Sequence, residues 1–156
     1  FYVSDMNDAA LKEAASRFGA SIVANDDIYD TDAEIFAPCA LGGIINTDTI
    51  NRLKCEVIAG AANNQLDNEE VHGDMLVKKG IVYAPDFLIN AGGLINVYSE
   101  WTGYNRENAL RDTERIYDTL DSIFKVSEET GMHTQAAATH LAQKRITDIM
   151  HVQSKI

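Results

Sequence analysis

Hydrophobic positions along the 156-residue chain fall into short apolar runs separated by segments with helical spacing. The first run, Phe1 to Ser4, reads as a buried strand ending at Asp5. A helix is predicted next, capped by Asn7 or Asp5, with Leu11, Ala14, Ala15 and Phe18 on one face and Gly19 as its stop. Further apolar runs at Ser21 to Ala24, Glu34 to Ala37, Glu56 to Ala59 and Ile81 to Ala84 alternate with helical segments, as parallel strands covered by crossover helices would. Before the last of them, Asp67 and Glu70 have capping-box spacing, Leu66 and Val71 are placed for a hydrophobic staple, and Gly80 follows the helix end.

From Phe87 onward the period changes and the chain reads as three helices. The longest is predicted from a cap at Asn105 to Gly131, with Leu110, Tyr117, Leu120 and Phe124 recurring at three-to-four-residue spacing, and another covers Thr134 to Met150. No internal repeat or low-complexity linker interrupts the chain, and Pro38 and Pro85 are its only prolines, so one packed unit is expected. The pattern is that of an α/β domain, with strands and helices over 1–103 and C-terminal helices over 104–156.

Composition narrows the function. A content of 46% hydrophobic and 24% charged residues is ordinary for a globular protein. A net charge of −11 with no basic stripe opposes binding to a phosphate backbone, so no nucleic-acid partner is expected. No apolar run approaches the roughly 18 residues of a membrane span, and the first residues lack the basic flank and apolar core of a signal peptide, which makes the cytoplasm the default compartment and a membrane partner unexpected. Cys39 and Cys55 have neither disulfide-framework nor metal-site spacing and read as two small buried thiols. His72, His133, His140 and His151 follow no metal-binding spacing and read as surface or structural, so no metal and no catalytic residue is assigned.

Three places carry candidate chemistry. Asp5 closes a strand, where a carboxylate can accept hydrogen bonds from both hydroxyls of an adenosine ribose and repel a 2′-phosphate; a cap is the plainer alternative. The segments Gly60-Ala61-Ala62-Asn63-Asn64-Gln65-Leu66 and Ile89-Asn90-Ala91-Gly92-Gly93-Leu94 pair small residues with amides at strand ends. Small residues admit a flat ligand, and amides both donate and accept. Singly, Asn63-Asn64 could be turn residues and Gly92-Gly93 a kink or a close helix contact. Asp86, beside Pro85, reads as a turn or cap residue. No GxGxxG occurs, and the glycine fingerprint is expected upstream of Phe1.

Taken in order, Phe36-Ala37-Pro38-Cys39-Ala40-Leu41-Gly42, Val57 to Leu66, Tyr83-Ala84-Pro85-Asp86, Ile89 to Val97, Gly103-Tyr104-Asn105-Arg106-Glu107 and Ile116-Tyr117-Asp118-Thr119 closely resemble the glutamate/leucine/phenylalanine/valine dehydrogenase family, and most of all its leucine branch. The resemblance implies a Rossmann-like doubly wound parallel sheet lacking its first strand and closed by C-terminal helices, with 1–156 the later portion of one NAD(P)-binding domain. It implies NAD as cofactor, Asp5 on the adenosine ribose, Cys39 and Ala40 lining the cleft through their backbone, and Asn63 and Asn90 at the nicotinamide end. Asn64 would contact the carboxylate of the amino acid, and Leu94 and Val97 would face its side chain.

An apolar pair there suits leucine, valine or phenylalanine better than glutamate, whose second carboxylate would be left unpaired at a cost of several kcal/mol. The activity implied is oxidative deamination of an apolar L-amino acid, leucine or another branched-chain one first, to its 2-oxo acid and ammonium. Phenylalanine or valine dehydrogenase and a non-catalytic nucleotide-binding module are the alternatives. Family members carry catalytic lysines and an aspartate on a separate N-terminal domain and form oligomers. The chain alone is therefore expected to be inactive, and poorly soluble through its open sheet edge.

Overall fold

The computed structural model describes residues 1–153. Five strands and seven helices alternate through the first half and give way to helices in the second: β1 (Tyr2–Val3), α1 (Asp8–Phe18), β2 (Ser21–Ile22), a 3-10 turn (Asp27–Asp30), β3 (Ile35–Phe36), α2 (Thr47–Arg52), β4 (Val57–Ile58), α3 (Glu69–Lys79), β5 (Val82–Tyr83), α4 (Asp86–Ile89), α5 (Gly92–Thr102), α6 (Arg106–Thr130) and α7 (Thr134–Gln153). Every apolar run contains a strand, and all pairings are parallel, as expected when helices make the crossovers. The regular pairing in each run is only two residues long, although single bonds such as Ala59 N–H to Phe36 O and Ala84 N–H to Ile58 O extend it.

The ladders form two sheets, β1-β2 and β3-β4-β5, rather than the single sheet expected. The larger one holds the core. Ile58 and Tyr83 are buried between helices and join Ile45, Ile50, Leu66 and Leu76 in one apolar cluster. The expectation of buried strands is corrected in both sheets: Tyr2, Ser21 and Ile22 are exposed in the smaller one, on which α1 packs, and Ile35 and Val82 are exposed in the larger.

Helix ends follow their capping chemistry. The Asn7 side chain accepts from Ala9 and Ala10 N–H to open α1, and Gly19 closes it at φ 66°, a left-handed conformation that favours glycine. Phe18, placed with the core face in the sequence, is instead exposed, since the residues that α1 turns inward are Leu11, Ala14 and Ala15. α3 is capped one residue later than predicted. Asn68, not Asp67, accepts from Val71 N–H, and Val71 lies exposed while Leu66 is buried, so no staple forms. The place of the capping-box glutamate is taken by His72, whose Nδ1 accepts the Asn68 N–H at 2.9 Å.

In α6 the cap at Asn105 and the stop at Gly131 are as predicted, but the inward face is shifted by one position. Ala109 and Ile123 are buried, whereas Leu110 and Tyr117 are exposed. α7 docks on α3 and β5. Thr134 Oγ1 donates to Tyr83 O at 2.6 Å, and the buried His133 ring lies so close to Gly73 that a Cβ there would sit 2.4 Å from its Nδ1. This contact explains a glycine inside a helix, where it costs about 1 kcal/mol relative to alanine. Residues 154–156, which the sequence reading counts with the C-terminal helices, lie outside the described residues. No described helix is long and apolar enough to cross a membrane.

Candidate functional site

Cys39, Ala40, Asn63, Asn64 and Asn90 lie on the segments that follow β3, β4 and β5, at the carboxyl ends of the parallel strands. Ligands bind there in open α/β sheets. The loop after β3 runs over 37–46 and the loop after β4 over 59–68, and backbone hydrogen bonds join the two. Ala62 N–H donates to Pro38 O at 2.9 Å, Gly43 N–H to Asn64 O at 2.8 Å, and Ile45 N–H to Gln65 O at 3.0 Å. Two glycines make this approach possible. A Cβ on Gly60 would lie 2.1 Å from Pro38 O, and one on Gly42 would lie 2.7 Å from Asn63 O and 2.8 Å from Asn64 O.

Gln65 braces the second loop from within. It is fully buried, its Nε2 donates to Gly60 O at 2.7 Å and Ala62 O at 2.9 Å, and its backbone N–H donates to Asp86 Oδ2 at 2.7 Å. Asn64 adopts φ 51°, a left-handed conformation that asparagine accepts more readily than most residues. The Asn63-Asn64 pair is thus a turn in geometry, and a turn that points two amides outward.

Asn63 and Asn90 are brought together although 27 residues separate them: Asn90 Nδ2 donates to Asn63 Oδ1 at 2.6 Å. Asn63 is exposed and Asn90 half-buried, and the Asn63 Nδ2 donors and the Asn90 Oδ1 acceptor take no partner among the described residues. Asn90 sits at the end of α4, where its N–H donates to Asp86 O at 3.0 Å. α5 begins two residues later and carries Leu94 and Val97, 73% and 63% exposed, on an apolar stripe with Tyr98 and Trp101. Gly92 and Gly93 open α5 without a close contact, for a Cβ on Gly93 would meet nothing within 4 Å and one on Gly92 only Thr113 at 3.9 Å.

Cys39 is exposed, which corrects the expectation of a buried thiol: it lies on the outer side of the loop that Gly60 presses against, while Cys55 is buried as expected. Ala40, beside it, is exposed as well. Asp5 stands apart from this group, at the end of β1 in the smaller sheet. Its Oδ1 accepts from Asn7 N–H at 2.8 Å, so it braces the turn into α1 while Asn7 caps the helix, and its other carboxylate oxygen takes no partner among the described residues. Among the described residues, no cluster of His, Cys, Asp or Glu could hold a metal ion.

Two buried polar residues, Gln65 and Asp86, also belong to this region, although local pattern presents the first as a loop glutamine and the second as a turn or cap residue. The signal for Gln65 was a glutamine beside an asparagine pair at a strand end, and only the fold shows that it points inward. Tyr83, also buried, has no partner within hydrogen-bond distance of its hydroxyl among the described residues; burial first, and then the neighbouring Asp86 carboxylate, holds its phenol well above the ordinary range.

Parallel strands, crossover helices and small-residue loops bonded to one another at the strand ends define an α/β domain. Residues 3–154 match the model of the Glutamate/Leucine/Phenylalanine/Valine dehydrogenase family, and the chain belongs to that family. It is 51% identical over 154 residues to L-tryptophan dehydrogenase of Nostoc punctiforme, covering 99% of this chain and 44% of that protein. The crystal structure of that relative superposes with a TM-score of 0.91 at 52% identity, over 94% of this chain and 44% of the other. Leucine dehydrogenase of Thermoactinomyces intermedius is 54% identical over 144 residues, covering 92% of this chain and 39% of that protein. The chain therefore spans less than half the length of these relatives.

Proposed function

We propose that this chain binds NAD and orients the amino acid in an enzyme that oxidatively deaminates an apolar L-amino acid, leucine or another branched-chain one first, to its 2-oxo acid and ammonium. The observation that carries the reading is the Asn63–Asn90 contact. With one N–H of Asn90 donated to Asn63 Oδ1, the Asn63 NH₂ is left free to donate and the Asn90 Oδ1 free to accept. That set is complementary to a primary carboxamide, whose carbonyl oxygen accepts and whose NH₂ donates, and a nicotinamide ring carries such a group. When bound, NAD accepts a hydride from the substrate α-carbon.

The residues of this chain then have separate tasks. Asp5 accepts from the adenosine ribose hydroxyls through its free oxygen, and its charge disfavours a 2′-phosphate, which selects NAD over NADP. The backbone of Cys39 and Ala40 lines the cleft beside the Asn63 loop. Asn64 donates to the substrate carboxylate and so holds the α-carbon in place for transfer over a short, fixed distance. Leu94 and Val97 offer apolar surface to the substrate side chain. The two-plus-three sheet supports a Rossmann-like arrangement. In the strand order 3-2-1-4-5-6 the first strand lies between the second and fourth, and a sheet lacking it divides into a pair and a trio. The relatives' greater length leaves room for that strand and for a catalytic domain, and the assembled enzyme is a homo-oligomer.

The similarity to both a leucine and a tryptophan dehydrogenase supports an apolar substrate and makes tryptophan the second candidate, ahead of phenylalanine and valine. The test is NADH formation by the full-length protein with leucine, tryptophan, phenylalanine, valine and glutamate, and with NADP in place of NAD. Leucine with NAD is expected to be turned over best. Glutamate as best substrate would overturn the role of Leu94 and Val97, preference for NADP that of Asp5, and no turnover of any amino acid the enzyme reading as a whole.

A further inference from the structure

We infer that Asp86 is a positioning residue: its buried carboxylate and its backbone carbonyl together hold the Asn63-Asn64 turn and Asn90 in the mutual arrangement that meets cofactor and substrate. The inference rests on the functional reading of those asparagines given above.

Asp86 is 5% exposed and opens α4, directly after β5. It faces both asparagine-bearing segments. Through Oδ2 it accepts the backbone N–H of Gln65, the residue after Asn64, at 2.7 Å, and through its carbonyl oxygen it accepts the N–H of Asn90 at 3.0 Å. One residue therefore fixes the backbone on both sides of the 2.6 Å contact between the Asn63 and Asn90 side chains. The other carboxylate oxygen accepts Phe87 N–H at 2.6 Å, and among the described residues no ion pair reaches the group.

A buried carboxylate is costly unless hydrogen bonds replace its water. A hydrophobic residue would fill the same volume at less cost if stability were the only demand. What the carboxylate supplies is a charge-assisted acceptor for the Gln65 N–H, which the bridge between Ile45 and Leu66 leaves unpaired, since that bridge uses the Gln65 carbonyl and the Asp67 N–H. Gln65 is the transmitting element. Its N–H is held by Asp86, its side chain ties Gly60 and Ala62, and its carbonyl accepts Ile45 N–H, so a shift at Asp86 moves the whole turn, including the left-handed Asn64. Asp86 itself is buried behind the turn, so it acts through the asparagines and is not a catalytic residue.

The experiment compares full-length wild type, Asp86→Asn and Asp86→Ala by amide hydrogen exchange and by steady-state kinetics with NAD and the best amino acid. For Asp86→Ala, exchange over 60–66 is expected to rise about tenfold or more while α3 and β4 stay near wild type, because the lost contact is local. kcat is expected to fall by about a hundredfold, with a smaller change in KM, as misplacement of a reacting group by about an ångström would cause. Asp86→Asn, which keeps one acceptor oxygen and turns an N–H₂ toward the other donor, should fall between the two. Unchanged exchange over 60–66, or a loss of protection spread evenly over α3, β4 and the turn, would show a residue that only stabilises the core and would overturn the inference. A wild type that oxidises no amino acid sinks the functional reading and this inference with it. An active wild type whose Asp86→Ala form keeps wild-type kcat sinks the inference alone.

Discussion

The two sheets share one design and differ in what covers them. β1 and β2 pair in parallel around a capped helix, as do β3, β4 and β5, yet Ile58 and Tyr83 are buried while Phe1, Tyr2 and Ile22 stand exposed. In the trio α3 and α7 pack on β5, Ile50 of α2 joins Ile58 in the core cluster, and the loops are bonded to one another; on the pair α1 packs against β2. Parallel pairing, then, does not make a core. Layers on the faces do, because apolar area removed from water, at about 25 cal/mol per Å², is what offsets the ordering of the chain.

The sharpest way to break this comparison is a glycine from each half. Gly60→Ala drives a Cβ into the Pro38 carbonyl and should cost about 3 kcal/mol or more, since neither backbone can yield without losing the bonds between the two loops. Gly19→Ala meets open space and should cost only the strain of its left-handed φ, about 1 kcal/mol. Urea unfolding of the full-length protein measures both, and equal losses would mean that the interloop packing is not what stiffens the larger half.

Alkali sharpens the contrast within that half. The folded state holds the Tyr83 phenol above its unfolded value of 10.0, so its contribution is fully present below pH 10 and is lost as pH rises beyond it. The loss is about 1.4 kcal/mol for each pH unit. Tyr83→Phe should leave the melting temperature at pH 8 unchanged or slightly raised, since the hydroxyl has no partner among the described residues, and should melt higher than wild type at pH 11. A Tyr83→Phe protein that melts several degrees lower at pH 8 would show that the hydroxyl is bonded after all.

The smallest effect belongs to the surface. Arg52 donates to both Asp26 and Asp30, tying α2 to the 3-10 turn, and these bonds hold both carboxyls below their ordinary 3.8. Their contribution is present above that value and is lost as pH falls through the folded-state values. The double variant Asp26→Asn/Asp30→Asn should therefore melt slightly below wild type at pH 7, and the gap should narrow as pH falls below 3.8 and shrink in salt at pH 7. A gap that stays constant as pH falls would place the effect in packing rather than charge.

How much of this was legible in the chain depends on the range of the interaction. Caps at Asn7 and Asn105 and stops at Gly19, Gly80 and Gly131 could be read off because each satisfies backbone groups within a few residues. The α3 cap was misread by one residue because Asp67 and Asn68 are equivalent in sequence, and His72, brought in by the helix itself, decides between them. The inward face of α6 was misjudged because Leu110 and Tyr117 satisfy a helical period as well as Ala109 and Ile123 do. For the candidate site, the small-residue loops and their amides were visible. The Asn63–Asn90 bond and the buried Gln65 and Asp86 beneath it were not.

By itself, then, the sequence determined the alternation of strands and helices, the ends of α1 and α6, and the family to which the chain belongs, all written in local spacing and in ordered blocks of residues. Tertiary structure alone decided which strands are buried, that two loops pack through Gly42 and Gly60, and that Asp86 lies behind both asparagines. The physical reason is the same in each case: burial and long-range hydrogen bonds depend on which surfaces meet, and a periodicity of two or 3.6 residues specifies a face without naming its partner.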